Sequence, residues 1–261
     1  MKILIISDIH GNSEALAAVL RKEHDADRTV FLGDAVLSGP QANETIALLN
    51  GIKNGTFIAG NHDDEMLDPS LFANFPPQWI ALNDWIIDHF DVAGYSFFDG
   101  LQGNGEYEVG GIRMYLHHGL VEGGPRHTLP DSPDENFHKI AEGNDAPFVL
   151  SGHTHVQFSR VINGQTFINP GSVGQNRCGK QVACYGLFED GNYRACSVPF
   201  DNTSWLQGID EIVTLDEYPD FKQWLKDGMI QGFGVGKNEP WTRATRRMGC
   251  SKPTVSMESS S

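Results

Sequence analysis

Five short apolar runs in this chain each end on a small polar cluster of Gly, Asp, Asn, Ser and His, and this repetition restricts the fold more than any other feature. Residues 2–6 lead into Ser7-Asp8-Ile9-His10, 28–32 into Gly33-Asp34, and 56–59 into Gly60-Asn61-His62-Asp63. Further on, 112–116 lead into His117-His118-Gly119 and 147–150, through Ser151, into Gly152-His153-Thr154-His155. Helical patterns separate the first three runs. One is capped by Asn12 or Ser13 and carries Leu16, Val19 and Leu20; the other covers 40–50 with Ile46, Leu48 and Leu49 inward. Strand, helix, strand, helix, strand predicts parallel strands with right-handed crossovers and a ligand site outside the strands' carboxyl ends. The first three clusters fall there.

The clusters also carry metal-ligand chemistry. Residues two apart on a strand project to one side, so Asp8 and His10 aim a carboxylate and an imidazole at one point, and His153 and His155 face alike. The same alternation puts His117 and His118 on opposite sides, so only one of them can join such a site.

Residues 67–105 are rich in aromatic side chains, and 78–90 reads as an amphipathic helix with Trp79, Leu82, Trp85, Ile86 and Phe90 near one stripe. That helix packs on the sheet edge, covers the site as a lid, or does both. Hairpins are expected at 106–109 with 112–116 and at 158–162 with 165–168, the second across Asn163-Gly164. A Gly/Pro-rich loop over 120–133 carries Arg126 and His127, and strands at 182–188 and 193–198 complete an antiparallel set. The expected division is a main domain over 1–200, an appendage over 201–250 with helices at 209–213 and 218–225, and a disordered tail over 251–261.

Charge decides which partners fit. With 34 acidic against 19 basic residues the net charge is −15, which repels extended nucleic acid. A small anion then needs a local cation, and a bound metal supplies one. The cysteines show no metal-finger spacing and read as reduced thiols. No apolar stretch approaches the roughly 18 residues of a membrane span, and the run before Asp8 is too brief for a signal peptide. A cytoplasmic protein without a membrane partner is expected.

Taken in order, D-x-H, GD, GNH, a later His before Gly, and GHxH resemble the calcineurin-like metallophosphoesterase superfamily over about residues 1–200. The run Asn169-Pro170-Gly171-Ser172-Val173-Gly174-Gln175 further resembles its small bacterial phosphodiesterase branch. The resemblance implies an α/β protein, a four-layered α/β/β/α sandwich, here with a small C-terminal helical appendage. It implies two divalent transition metal ions (Mn, Fe, Zn, Ni or Co) between the sheet edges. Carried over by motif position, Asp8, His10 and His155 hold the first, Asn61, His118 and His153 the second, and Asp34 bridges them. His62 is then the catalytic residue beside the leaving-group oxygen, and a metal-bridging hydroxide is the nucleophile. Candidates for contacting the substrate are Asn12, Arg126, His127 and Arg177.

One departure narrows the activity. In protein Ser/Thr phosphatases the bridging-aspartate motif continues as GDxVDRG, whose second Asp orients the catalytic histidine; this chain has Leu37 at that position and no Arg after it. Asp63 also follows His62 where those enzymes usually carry Glu. A phosphodiesterase acting on a small-molecule or nucleotide substrate is therefore favoured over a phosphomonoesterase, with protein phosphatase activity less favoured still. A non-catalytic scaffold of the same fold is the reading from a different class; His62 and the full proposed ligand set argue for an enzyme.

Overall fold

The computed structural model describes residues 1–124 and 126–234. Its strands are β1 (Lys2–Ile6), β2 (Arg28–Phe31), β3 (Gly55–Phe57), β4 (Gly105–Val109), β5 (Ile112–His117), β6 (Phe148–Ser151), β7 (Phe158–Ile162), β8 (Gln165–Asn169), β9 (Val182–Glu189) and β10 (Asn192–Pro199). Its α-helices are α1 (Ser13–Lys22), α2 (Ala42–Asn50), α3 (Asn61–Leu67), α4 (Pro77–Asp88), α5 (Ser96–Asp99), α6 (Asp134–Ala141), α7 (Thr203–Glu211) and α8 (Pro219–Ile230).

The strands form two five-stranded sheets, ordered β10-β9-β1-β2-β3 and β4-β5-β6-β8-β7. Within the first, β1, β2 and β3 are parallel and β9 runs antiparallel to β1. Within the second, β5, β6 and β8 are parallel, and the hairpins β4-β5 and β7-β8 close its two edges.

Side-chain alternation explains why β1 is apolar from Ile3 to Ile6: both faces of that run are buried. Ile3 and Ile5 meet Met114, Leu116, Leu150 and Ile168 of the second sheet. Leu4 and Ile6 turn the other way, into a core with Leu16 and Val19 of α1 and Ile46 and Leu49 of α2. On the far face of the second sheet, Tyr115, Val149 and Phe167 pack against Phe137 and Ile140 of α6. Helices, sheet, sheet and helix are the four layers expected from the sequence.

The C-terminal helices differ from expectation. The first begins six residues before 209 and ends at Glu211, the second begins at Pro219 and runs past 225 to Ile230, and a 3-10 segment, Val213–Glu217, lies between them. Asp201 opens α7 by accepting from the Thr203 N–H at 2.9 Å, and Trp205 and Ile209, one turn apart, both lie in the core. Pro219 sits in the first turn of α8, where its missing N–H costs nothing. Residues 235–250 of the expected appendage and the expected tail at 251–261 lie outside the described residues. No helix among the described residues is long and apolar enough to cross a membrane.

Candidate metal centre

The polar clusters converge at the carboxyl ends of the strands, but not by strand alternation. β1 ends at Ile6, so Asp8 and His10 lie beyond the pleat, with φ of +53° and +47°. Asp34, His153 and His155 are also left-handed, at +62°, +65° and +60°. Tight curls of loop, not a two-residue pleat, bring these side chains together. Backbone hydrogen bonds hold the curls: Asp8 N–H donates to Gly33 O at 2.9 Å, and Ile9 and His10 N–H donate to Asp34 O at 2.8 and 3.1 Å. Asp63 clamps the same turn. Its Oδ2 accepts from Asp34 and Gly60 N–H, both at 2.8 Å, and its Oδ1 from Ala35 N–H at 2.9 Å. Gly60 is required by proximity, since a Cβ there would lie 2.2 Å from Asp34 Oδ1.

Three overlapping groups of donors form around Asp34, one of them His10, Asp34 and His62. Asp8, His10 and His155 bring one ligand atom each within 4.8 Å of one another, as do Asp34, His118 and His153. Asp34 Oδ2 lies 3.1 Å from His118 Nε2 and 3.7 Å from His10 Nε2, so one carboxylate reaches both groups. His10 and His155 face each other Nε2 to Nε2 at 3.1 Å, and Asp8 Oδ1 is 3.3 Å from His155 Nε2. Asn61 Oδ1 meets His153 Nδ1 at 3.1 Å. His117 turns away, its Nδ1 accepting from Gly119 N–H at 2.8 Å.

Backbone carbonyls fix which nitrogen each imidazole presents. Carbonyls only accept, so the ring nitrogen beside one must carry the proton. Nδ1–H donates to Leu37 O from His10 (3.3 Å), to Leu32 O from His118 (2.7 Å) and to Gln175 O from His155 (2.9 Å), leaving Nε2 turned to the cluster. His153 is reversed: Nε2–H donates to Arg126 O at 3.1 Å and Nδ1 faces Asn61. Metal-binding histidines are oriented in this way. Such nitrogen and carboxylate donors, with opposed imidazole lone pairs at 3.1 Å, fit divalent transition metals.

The electrostatics match. Burial, then neighbouring His155, drives His10 down to about 3, and burial drives His153 and His155 well below the usual imidazole range, so all three are neutral at pH 7. Burial opposes charge on Asp34, yet His118 and His62 outweigh it and hold that carboxyl low. Burial likewise opposes charge on His118 and His62, but Asp34 prevails at both, pushing them up to about 10 and about 9. Glu65 adds to the effect at His62, its Oε2 2.7 Å from His62 Nδ1.

The cluster opens into a cavity of about 1100 Å³ bordered by Arg126, His127 and Arg177. His127 stacks on His153 at 5.4 Å between centroids, and buried Arg177 donates to Thr154 O at 2.9 Å. Asn12 does not belong with them. It is fully buried, its Oδ1 accepting from Ala15 N–H to cap α1 and its Nδ2 donating to Gly174 O. Both ends of the amide are engaged by backbone, which corrects its reading as a substrate contact. Sequence reasoning missed Glu65 and the Asp63 clamp. Glu65 was findable as the carboxylate three residues beyond His62 on a helix, where i and i+3 are neighbours.

The profile described as calcineurin-like phosphoesterase superfamily domain matches residues 1–190. The chain is 28% identical over 215 residues to the uncharacterized protein MJ0912 of Methanocaldococcus jannaschii, covering 74% of this chain and 84% of that protein. It is 26% identical over 175 residues to the probable metallophosphoesterase YsnB of Bacillus subtilis, covering 66% and 75%. Among solved structures, a metallophosphoesterase from Sphaerobacter thermophilus superposes with a TM-score of 0.61 at 26% identity, covering 81% of this chain and 93% of that one. With this match over most of its length and a metal-suited donor cluster at its strand ends, the chain belongs to the calcineurin-like phosphoesterase superfamily and is a metal-dependent phosphoric ester hydrolase.

Proposed function

We propose that the chain is a binuclear phosphodiesterase acting on a small soluble phosphoester rather than on extended nucleic acid. The observation that carries this reading is the set of four imidazoles, each pinned by a backbone carbonyl with its other nitrogen turned to the groups around Asp34. Asp8, His10 and His155 would hold one ion, Asn61, His118 and His153 the other, and Asp34 both. Bound there, divalent ions supply Lewis acidity to the phosphoryl oxygen and make a hydroxide nucleophile accessible near neutral pH.

The remaining work falls to the chain itself. Arg177 and Arg126 border the cavity and offer cationic donors to the non-bridging oxygens of the ester. His62 lies against His10, 5.0 Å between ring centroids, and borders the same cavity, so a protonated His62 donates to the departing alkoxide. Glu65 holds that ring and favours its protonated form. A cavity of about 1100 Å³ leaves room for an organic group beyond the phosphate, which supports a diester over inorganic or simple monoester substrates.

A substrate panel tests the reading: bis-p-nitrophenyl phosphate, cyclic nucleotides, p-nitrophenyl phosphate and a phosphoprotein, each with Mn and with Ni or Zn. Diester hydrolysis should exceed monoester hydrolysis. Activity confined to phosphoproteins would refute it, and absence of bound metal after supplementation would remove the centre.

A further inference from the structure

The loop that begins at Ser172 supports one of the donor groups from behind. Ser172 Oγ–H donates to Asp8 O at 2.6 Å, and Gly174 N–H donates to the same oxygen at 3.2 Å. Gln175 O accepts from His155 Nδ1–H at 2.9 Å. Gln175 Nε2–H donates to Ser38 O at 2.9 Å, one residue beyond the Leu37 carbonyl that orients His10. Asp8, His10 and His155 therefore all lean on this loop. The imidazoles of His118 and His153 take their acceptors elsewhere, from Leu32 O and Arg126 O.

The end of α8 closes on the same loop from outside, although it lies beyond the residues that match the family. Gly232 N–H donates to Met229 O at 3.1 Å and Phe233 N–H to Gly228 O at 2.9 Å, the paired bonds of a helix stopped by a left-handed residue, here Gly232 at φ +69°. The turn this makes meets Gln175, Gly179 and Lys180. Gly232 O accepts from Gly179 N–H at 2.8 Å. Gly232 approaches Lys180 so closely that a Cβ would come 2.2 Å from Lys180 O and 2.4 Å from Lys180 N. A Cβ on Gly179 would stand 3.1 Å from the Phe233 ring, and one on Gly234 2.6 Å from Gln175 O. That last oxygen is the one to which His155 donates.

We propose that Gly232, Phe233 and Gly234 are positioning residues for the donor group Asp8, His10 and His155: they clasp the loop, seat Gln175 O, and through it present His155 Nε2. The inference rests on the binuclear reading above. A carbonyl that swings away no longer fixes the tautomer or the ring of His155, and losing a partner of this kind changes metal affinity by about 10- to 100-fold. Asn61, His118 and His153 gain nothing from the clasp, so its loss should be felt at one ion and not at the other. Packing that only stabilised the fold would weaken both ions alike or neither.

The test titrates the metal-stripped full chain with manganese(II) by calorimetry and follows thermal denaturation alongside. Gly232→Ala drives a Cβ into the Lys180 backbone. Gly191→Ala is its control, a left-handed position at φ +79° in the β9-β10 turn with open space around it. Gly232→Ala should weaken one binding step about 10- to 100-fold and spare the other, whereas Gly191→Ala should lower Tm with both steps intact. In a chain already carrying His155→Ala, adding Gly232→Ala should weaken binding no further. Should Gly232→Ala fail to fold, Phe233→Leu, which withdraws the ring from Gly179, carries the same comparison and should weaken the same step several-fold. Both steps weakened alike, both unchanged, the same loss in Gly191→Ala, or a full further loss on the His155→Ala background overturns the clasp. A single step in the unsubstituted chain removes the binuclear reading, and the clasp then stands or falls on whether Gly232→Ala weakens that step.

Discussion

Replacing Glu65 by Gln removes a charge while keeping its shape, and so isolates what a carboxylate does beside His62. Its Oε2 lies 2.7 Å from His62 Nδ1, and only 8% of its side chain is exposed, so little solvent screens the pair. A hydrogen bond to a charged group in such a place contributes roughly 1.5–3 kcal/mol. If all of it holds His62 as the acid in the transition state, Glu65→Gln lowers kcat by roughly 10- to 150-fold. The loss should depend on the leaving group. An alkoxide needs the proton that His62 delivers, whereas p-nitrophenolate departs without one, so the deficit should be large for a nucleoside or alkyl leaving group and small for bis-p-nitrophenyl phosphate. The pH profile supplies an independent sign. Burial lowers the pKa of His62, while Asp34 and then Glu65 raise it to about 9. Without Glu65 the pKa falls, the protonated form is lost at lower pH, and the alkaline limb of kcat shifts toward acid. The assay is kcat against pH for both leaving groups. Equal losses for the two, with an unmoved alkaline limb, would refute the assignment.

Three further outcomes are expected. Asp34→Asn should abolish most activity and lower bound metal in elemental analysis, whereas His24→Ala, remote from the centre, should change neither; equal activity of the two variants would overturn the bridging role. Because Asp34 outweighs burial and holds His118 at about 10, that imidazole carries a proton at pH 7 which ligation must expel. Metal uptake should therefore release a proton and strengthen as pH rises, measured by calorimetry in buffers of different ionisation enthalpy; uptake without release would remove His118 from the ligand set. Asp63→Ala leaves the N–H groups of Asp34, Ala35 and Gly60 without their acceptor. At about 1 kcal/mol each this costs roughly 3 kcal/mol and lowers Tm by roughly 6–12 °C, read by thermal denaturation; an unchanged Tm would refute the clamp.

The sequence made the strand ends legible because a polar cluster after an apolar run is a local pattern. Asp8, Asp34, His118 and His155 could be named from motif order alone. What it hid was how they meet. Asp8 and His10 converge through left-handed curls that no two-residue periodicity encodes, and His118 is oriented by Leu32 O, a carbonyl 86 residues away in sequence. Main-chain acceptors leave no trace in residue identity, so Leu37 read as a lost carboxylate when its carbonyl orients His10. Asn12 misled for the opposite reason. A side chain that caps a helix carries the same letter as one that contacts a ligand, and only its burial and two backbone partners tell them apart.

The left-handed backbones at Asp8, His10, Asp34, His153 and His155 bear on how this protein can be improved or lost. Each non-glycine residue held there costs roughly 1–2 kcal/mol, and five together approach the whole net stability of a typical domain. Glycine at any of them would relax the chain. Heat tolerance and turnover thus pull in opposite directions at these positions. A selection that rewarded thermostability alone would drift toward a tougher protein with a dismantled metal centre, and an engineer seeking both should stabilise the chain elsewhere.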